Sequence, residues 1–411
     1  MSVTAGVDRR SVDTDPFTVG GLGDRSAALR AVTRIAPAVS DRARSTDIPH
    51  PETFADIKAS GLPAYIVPAE LGGGGADLAD ASAVIRALAA ADASAALVLT
   101  MHYIHATRLL SGTTTPALTG VAQQLASDNL LLNFAASEGR SGAPSRGGTP
   151  ETTAVRTAAG WELHGRKRYV TGSIGLDLIL VTARVQIADE AAVHTFVVPA
   201  SSTGVRIEET WDTFGLRGTA SHDVVLDGVV VPLDAAATAY DPNTNVDRSD
   251  TFYNWWSLLL ASVHLGIATA ARATALDFAS GSRNDGQPGA RYEQPRTRAH
   301  AAALELALLQ AETLLHGGLA RVGRDGGGVP GLGPAVKALV HRHATEAVDA
   351  AARLVGGASV WNSSDLSRYH RDLRVAMFNP PNDDVVADRV ADIVFQVGGG
   401  TLLADSEGSH R

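Results

Sequence analysis

The stretch ELHGRKRYVTG at residues 162–172, followed by LILVTARV at 178–185, decides the fold of this 411-residue chain. Both segments are rich in β-branched and aromatic residues, and short runs of Gly, Asp and Ser separate them, which is typical of strands joined by turns. Similar runs, among them HTFVVPA and HDVVLDGVVVP, continue from about residue 130 to 232. We therefore expect a small antiparallel β-barrel or sandwich in the middle of the chain.

Helical patterns lie on both sides of this β segment. Apolar residues recur at three- and four-residue intervals in SAALRAVTRIAPAVSDRA and, after the β segment, in long alanine-rich runs such as AHAAALELALLQAETLL. Long helices joined by short loops predict an antiparallel bundle. The predicted fold class is α+β, with tails at 1–24 and 404–411, a helical domain at 25–127, a β domain at 128–240 and a four-helix bundle at 241–403.

Composition restricts the class of protein. The formal net charge of −9 disfavours a nucleic-acid partner, and the lack of cysteine excludes disulfides, a thiolate nucleophile and iron–sulfur clusters. His341 and His343 are two apart in a helical pattern and point to different faces, so we expect no metal site. The most apolar window, 255–271, is short for a membrane span, and the N-terminus does not resemble a secretory signal. We expect a cytoplasmic enzyme or binding protein.

Four motifs then occur in order along the chain. They are SEGRSG (137–142), the 162–185 segment, FGLRGTASHDVVLDGVVVP (214–232), and RLVGG (353–357) followed by LSRYHRDLRV. This order resembles the acyl-CoA dehydrogenase superfamily over about residues 25 to 400. The resemblance implies an N-terminal helical domain, a middle β-barrel that contacts a flavin, a C-terminal four-helix bundle, and a homotetramer whose subunits complete each other's flavin sites.

The resemblance also implies flavin-binding residues in the middle domain. Thr171 corresponds to a threonine that hydrogen-bonds flavin N5, and Tyr169 and Val170 precede it where an aromatic side chain covers the ring. Ser137 supplies a hydroxyl at the turn before the second motif. A β surface with backbone amides and a hydroxyl suits a flat ring with one polar edge. The alternative is that residues 169–171 form an ordinary strand.

Cofactor residues outside the middle domain are implied in the same way. Gly356 and Gly357 match a pair that approaches the flavin phosphates of a neighbouring subunit, although a glycine helix cap explains them equally well. Arg283 matches a phosphate-binding arginine, and Arg291 is an equal candidate. We expect FAD, and FMN stays open.

The usual catalytic base of the dehydrogenases is missing. By resemblance, a glutamate lies eight residues after the aspartate of the RD pair, which is Asp372, and that position is Pro380. The alternative position, nine residues before Leu265, is Trp256. Removal of an α-proton needs a positioned carboxylate. Asp383 and Asp384 could replace it, or they could cap the next helix.

This pattern resembles the branch of the superfamily that activates oxygen on reduced flavin. That branch places histidines near the flavin, and here MHYIH supplies His102 and His105 on one helical face. Asn379 stands where the branch commonly has another histidine. His102, His222 and Trp256 are candidates for contact with substrate. For each of these residues, the alternative is a packed or turn-satisfying structural role.

We therefore predict a flavin-dependent oxidoreductase and favour a monooxygenase with His105 and Asn379 as candidate catalytic residues. Its partners would be a small-molecule substrate and a flavin reductase. The alternatives are a dehydrogenase of acyl thioesters with Asp383 or Asp384 as a relocated base, and a silent homologue that acts as a binding subunit.

Overall fold

A computed structural model provides the structure of the chain, and it describes residues 24–45, 49–110, 116–139, 149–187, 190–240, 249–281, 290–325 and 328–395. In this part of the chain, five α-helices precede a β-sheet and five follow it. The first five are α1 Arg25–Ala43, α2 Pro51–Ala59, α3 Leu78–Ala91, α4 Ala93–Leu110 and α5 Pro116–Ser127. The last five are α6 Asp250–Gly281, α7 Pro295–Arg324, α8 Leu332–Val355, α9 Asp365–Ala376 and α10 Asp383–Phe395.

Aspartates begin three of the N-terminal helices. The carboxylates of Asp24, Asp77 and Asp92 accept hydrogen bonds from backbone amides in the first turns of α1, α3 and α4. Each cap satisfies amides that the helix itself leaves without a partner. Because Asp92 also ends α3, the joint between α3 and α4 is short, and α4 is placed directly against the sheet that follows.

The middle of the chain forms one curled sheet of eight strands. They are β1 Leu132–Ala135, β2 Thr153–Thr157, β3 Gly160–Val170, β4 Leu178–Ile187, β5 Glu190–Pro199, β6 Val205–Glu208, β7 His222–Val231 and β8 Ala236–Tyr240. The strand order is β6-β7-β3-β2-β4-β5-β8, with β1 beside β4. The predicted sheet is mainly antiparallel, but β1 and β2 pair with β4 in parallel. The chain returns through the long 136–177 segment before β4, so β1 and β4 run in the same direction.

The C-terminal helices confirm the predicted bundle. Helices α6, α7, α8 and α9 pack on one another, and α10 packs on α8. Helix α6 is long and apolar enough to cross a membrane by composition, but 78% of its apolar window is buried inside the fold, as in the core helix of a globular protein. It also packs on α3: Ser262 meets Ser82 at 2.7 Å, and a Cβ on Gly266 would lie 2.5 Å from the Arg86 carbonyl oxygen. Glycine is therefore required where these two helices cross.

Candidate active site

The turn after β1 is held by a buried ion pair. Lys167 on β3 places its Nζ 2.5 Å from Oε1 of Glu138, and neither side chain has more than 2% of its surface exposed. Glu138 also accepts from the backbone amides of Glu151 and Thr152. Burial alone would raise the pKa of Glu138, but Lys167 and these hydrogen bonds lower it, so Glu138 is ionised. The pair fixes the turn that carries the half-buried Ser137, whose carbonyl accepts from the amide of Arg168.

A β-bulge at the end of β3 turns Tyr169 outward. The β3–β7 register shifts between Lys167 and Val170, and Tyr169 has a left-handed backbone with φ of 57°. Its side chain is 59% exposed and meets the ring of Trp211 edge-on at 6.3 Å. A left-handed tyrosine costs on the order of 1–3 kcal/mol and is retained where the surrounding structure requires it. The bulge gives this edge of the sheet an aromatic surface.

Thr171, directly after the bulge, is fixed by its backbone and its hydroxyl. Asn133 on β1 donates from Nδ2 to the Thr171 carbonyl at 2.7 Å. The Thr171 hydroxyl lies 3.0 Å from that of Ser221, which lies 2.9 Å from that of Thr219. His222 pairs with Val170 in the ladder, and its Nδ1 accepts from the amides of Thr210 and Trp211. His222 thus supports the segment that carries Trp211.

Helix α4, helix α6 and strand β1 together form an aromatic cluster. His105 is buried, with its ring 5.3 Å from Phe134 and 5.7 Å from Trp256. Nδ1 of His105 and Nε1 of Trp256 are buried and have no hydrogen-bond partner among the residues that the structure describes. Burial, with a smaller contribution from Arg108, holds the pKa of His105 well below its usual range, so its ring is neutral. Two unpaired polar atoms in one apolar cluster mark a place where a ligand can bind.

His102 has a different role, although it lies on the same helix. Its Nε2 donates to the Pro63 carbonyl, and its Nδ1 accepts from the amide of Leu132. With both ring nitrogens occupied and no exposed surface, His102 joins α4 to β1. Burial lowers its pKa to about 4, which keeps this neutral arrangement intact.

The loop between α9 and α10 contains one of the two positions predicted for the missing base, and the other, Trp256, lies in α6. Pro380 lies in this loop. Asp383 and Asp384 are exposed in the first turn of α10, where the positive end of the helix dipole stabilises carboxylates. Within the described part of the chain, the buried Nδ2 of Asn379 has no hydrogen-bond partner. The buried Lys337 on α8 donates to the carbonyls of Asn379 at 2.5 Å and Pro381 at 2.7 Å. Lys337 in the bundle core therefore fixes the backbone of this loop.

Two histidines lie beside Lys337 in the bundle core. The rings of His264 and His341 meet edge-on with centroids 4.8 Å apart. Burial, with smaller effects from Lys337 and Arg374, lowers the pKa of His341 to about 4, while Asp383 acts in the opposite direction. Below a pH of about 6.5 the unfolded chain binds a proton at His341 that the folded chain does not bind. The stability contributed by the neutral ring is therefore lost as the pH falls from about 6.5 to about 4.

We expect His341→Gln to weaken this acid sensitivity. Between pH 7 and pH 5, the free energy of unfolding of the variant should fall by roughly 2 kcal/mol less than that of the unsubstituted protein. Urea unfolding at the two pH values measures the difference. His164→Gln, at a histidine whose side chain is 47% exposed, is the control. An identical loss of stability in the His341 variant and the unsubstituted protein would contradict the assignment.

The remaining predicted residues do not join this group. Gly356 ends α8 with φ of 76°, and a Cβ on Gly356 or Gly357 would meet no atom of the described residues within 4 Å. Arg283 lies outside the described residues. Arg291 stacks on Phe278 at 3.8 Å. The structure thus groups Ser137, residues 169–171 and His222 around the end of β3, and it groups His105 with Trp256 in a second cluster.

Sequence patterns do not reveal several residues that organise the site. From the sequence alone, Asn133 is one polar residue in an apolar strand, and Lys337 is indistinguishable from a surface lysine of a helix. The alternation of inward and outward positions along β3 did indicate one of them, because Lys167 occupies an inward position between Gly165 and Tyr169. Ser221 belongs to a quoted motif, but its contact with Thr171 depends on the pairing of β3 with β7.

This fold is that of a known family. Models of the acyl-CoA dehydrogenase N-terminal, middle and C-terminal domains match residues 25–119, 133–229 and 251–395. The chain belongs to the acyl-CoA dehydrogenase family, as the motif order predicted.

Two curated relatives and one solved structure illustrate the range of this family. YdbM of Bacillus subtilis (strain 168), which carries an acyl-CoA dehydrogenase name, is 32% identical over 84% of this chain and 90% of its own length. Isobutylamine N-hydroxylase of Streptomyces viridifaciens is 30% identical over 79% of this chain and 84% of its own length. The FMN-bound structure of TdsC from Paenibacillus sp. A11-2, a dibenzothiophene monooxygenase, has a TM-score of 0.77 at 22% identity and covers 90% of this chain and 96% of its own.

Proposed function

We propose that this protein is a flavin-dependent monooxygenase that receives reduced flavin from a separate reductase and oxidises a small molecule. One atom of dioxygen enters the substrate and the other leaves as water, with two electrons and two protons from the reduced flavin. The observation that carries the proposal is the pair of base positions, because Pro380 and Trp256 cannot accept an α-proton. The N-hydroxylase relative supports the same branch.

The residues at the end of β3 fit a flavin ring. Tyr169 offers an exposed aromatic surface, the half-buried Thr171 offers a hydroxyl, and Ser137 lies on the turn next to them. When bound, the flavin supplies the electrons for oxygen activation. Thr171 would hold the N5 edge of the ring, and the ion pair of Glu138 with Lys167 would keep the turn in place for its pyrimidine edge. We propose FMN rather than FAD, since TdsC is FMN-bound.

The substrate would lie against the cluster of His105, Phe134 and Trp256. His105 is neutral, so its unpaired Nδ1 can accept or donate one hydrogen bond and orient a polar group of the substrate. The rings of Phe134 and Trp256 would exclude water from that hydrogen bond. The guanidinium of Arg108 lies 4.1 Å from the centre of the Phe134 ring and 5.8 Å from that of Phe252 at the edge of the cluster.

Exposed apolar side chains near the end of α8 support a contact with a second copy of the chain. Val360 and Trp361, just after Gly356 and Gly357, are 76% and 69% exposed. Such side chains commonly mark contacts between subunits. We propose that this end contacts a neighbouring subunit of a homotetramer and that the enzyme acts in the cytoplasm.

The alternative is a dehydrogenase that uses Asp383 or Asp384 as a relocated base. The YdbM relative carries a dehydrogenase name, which keeps this alternative open. However, both aspartates lie exposed in the first turn of α10, where the helix dipole stabilises carboxylates, while Asn382 caps the helix by accepting from the amide of Val385.

The test supplies purified protein with FMN, FAD, and a flavin reductase with its nicotinamide substrate. We expect FMN to raise the unfolding temperature, and products formed from a panel of amines, indole and thiophenes to carry one atom from ¹⁸O₂. Thr171→Val should weaken FMN binding about 3- to 10-fold by removing one hydrogen bond. Thr157→Val, at the far end of the β2–β3 hairpin, is the matched control. Protein that retains no flavin would refute the proposal.

A further inference from the structure

Three hydroxyls form a relay that leads from the interior to the end of β3. Thr219 donates from Oγ1 to the Leu216 carbonyl at 2.9 Å. Its oxygen lies 2.9 Å from Oγ of Ser221, which lies 3.0 Å from Oγ1 of Thr171. Thr219 and Ser221 are buried, whereas Thr171 is half-buried. The relay is thus anchored at a carbonyl and ends at the candidate flavin site.

The anchor determines the direction of every proton in this relay. A carbonyl oxygen only accepts, so the single hydroxyl proton of Thr219 points to Leu216. The contact between Thr219 and Ser221 then requires the proton of Ser221, and the contact between Ser221 and Thr171 requires the proton of Thr171. The outward side of the Thr171 oxygen is therefore left with lone pairs only.

Backbone contacts prevent Thr171 from turning away from the relay. Asn133 donates to its carbonyl, and the next residue, Gly172, donates from its amide to the Thr219 carbonyl at 2.7 Å. Thr219 therefore holds both the backbone and the hydroxyl beside the candidate site. The relay is fixed before any ligand binds.

We propose that this relay makes the site selective for reduced over oxidised flavin. The proposal rests on the proposed function, in which Thr171 meets flavin N5. N5 of reduced flavin carries a hydrogen and donates, so it matches an acceptor at Thr171. N5 of oxidised flavin presents a lone pair, which would face the lone pairs of Thr171 unless the relay broke a hydrogen bond. Ser221 and Thr219 are thus positioning residues that set which redox state the enzyme binds.

The experiment measures the dissociation constants of oxidised FMN and dithionite-reduced FMN under anaerobic conditions. We expect the unsubstituted protein to bind reduced FMN at least about 10-fold more tightly. In Ser221→Ala the proton of Thr171 is released and can point to oxidised N5, so the ratio of the two constants should fall about 5-fold. Thr219→Val keeps the side-chain shape but removes the oxygen that accepts the proton of Ser221. It should therefore also lower the ratio of the two constants. Ser173→Ala, which removes a separate buried bond to the Ala220 carbonyl, should leave the ratio unchanged.

The ratio distinguishes this role from a structural one, because general loosening of the site would weaken both redox states together. Equal binding of the two states by the unsubstituted protein would overturn the relay while leaving flavin binding intact. An unchanged ratio in whichever of the two variants folds would overturn it as well. Failure of every protein to bind either state would instead refute the proposed function.

Discussion

Anaerobic mixing of the FMN-loaded protein with a saturated acyl-CoA is expected to leave the flavin oxidised. A positioned general base contributes about 100- to 10,000-fold to proton abstraction, and Pro380 and Trp256 occupy the two places where the family keeps one. Any bleaching of the flavin absorbance should therefore be slower by at least about 100-fold than in a family member that retains its glutamate.

Substitution of the two aspartates separates the alternatives. Asp383→Asn and Asp384→Asn should leave oxygenase activity unchanged, since both side chains are exposed on α10. If the acyl-CoA bleaches the flavin and either substitution abolishes the bleaching, the relocated-base dehydrogenase is correct. If rapid bleaching persists in both variants, a base elsewhere must be sought and the monooxygenase proposal fails.

The second large effect is expected at the ion pair beneath the turn of β1. Lys167→Met leaves the carboxylate of Glu138 buried without its cation, which typically costs 3–5 kcal/mol. Chemical denaturation should show this loss, and FMN binding should weaken because Ser137 is no longer held. Lys58→Met is the matched control, since Lys58 and Asp177 form a partly exposed pair that contributes about 1 kcal/mol or less.

The double variant Lys167→Met/Glu138→Gln tests the cause. Removing both charges should recover part of the stability lost in the single variant, because a neutral amide is easier to bury than a carboxylate. A double variant as unstable as the single one would mean that packing of the lysine, rather than the unpaired charge, was decisive.

The sequence predicted the large features because they depend on periodicity. The alternation around Leu178–Val185 and the helical spacing in α4 and α7 survive in the structure as strand and helices. Order along the chain was enough to place Tyr169 and Thr171 at the end of one strand. Periodicity and motif order are properties of single segments, so they can be recognised without knowing how the segments pack.

The site itself depended on contacts between segments that are distant in the chain. Thr171 meets Ser221 because β3 pairs with β7, and Asn133 reaches Thr171 because β1 joins the sheet in parallel with β4. The bulge that exposes Tyr169 follows from one extra residue opposite β7, which a single-strand pattern does not show. Likewise, only packing of the bundle places Lys337 under the loop that carries Asn379.

Helix α6 connects two parts of the chain that read as separate domains. Its Gly266 lies against α3, while its other sides pack on α7, α8 and α9. A fragment that ends before residue 250 would lack the surface that buries α3, and a fragment that begins there would expose α6 to solvent. The N-terminal helices and the bundle therefore share one core, so we expect them to unfold as one cooperative unit and neither fragment to fold alone.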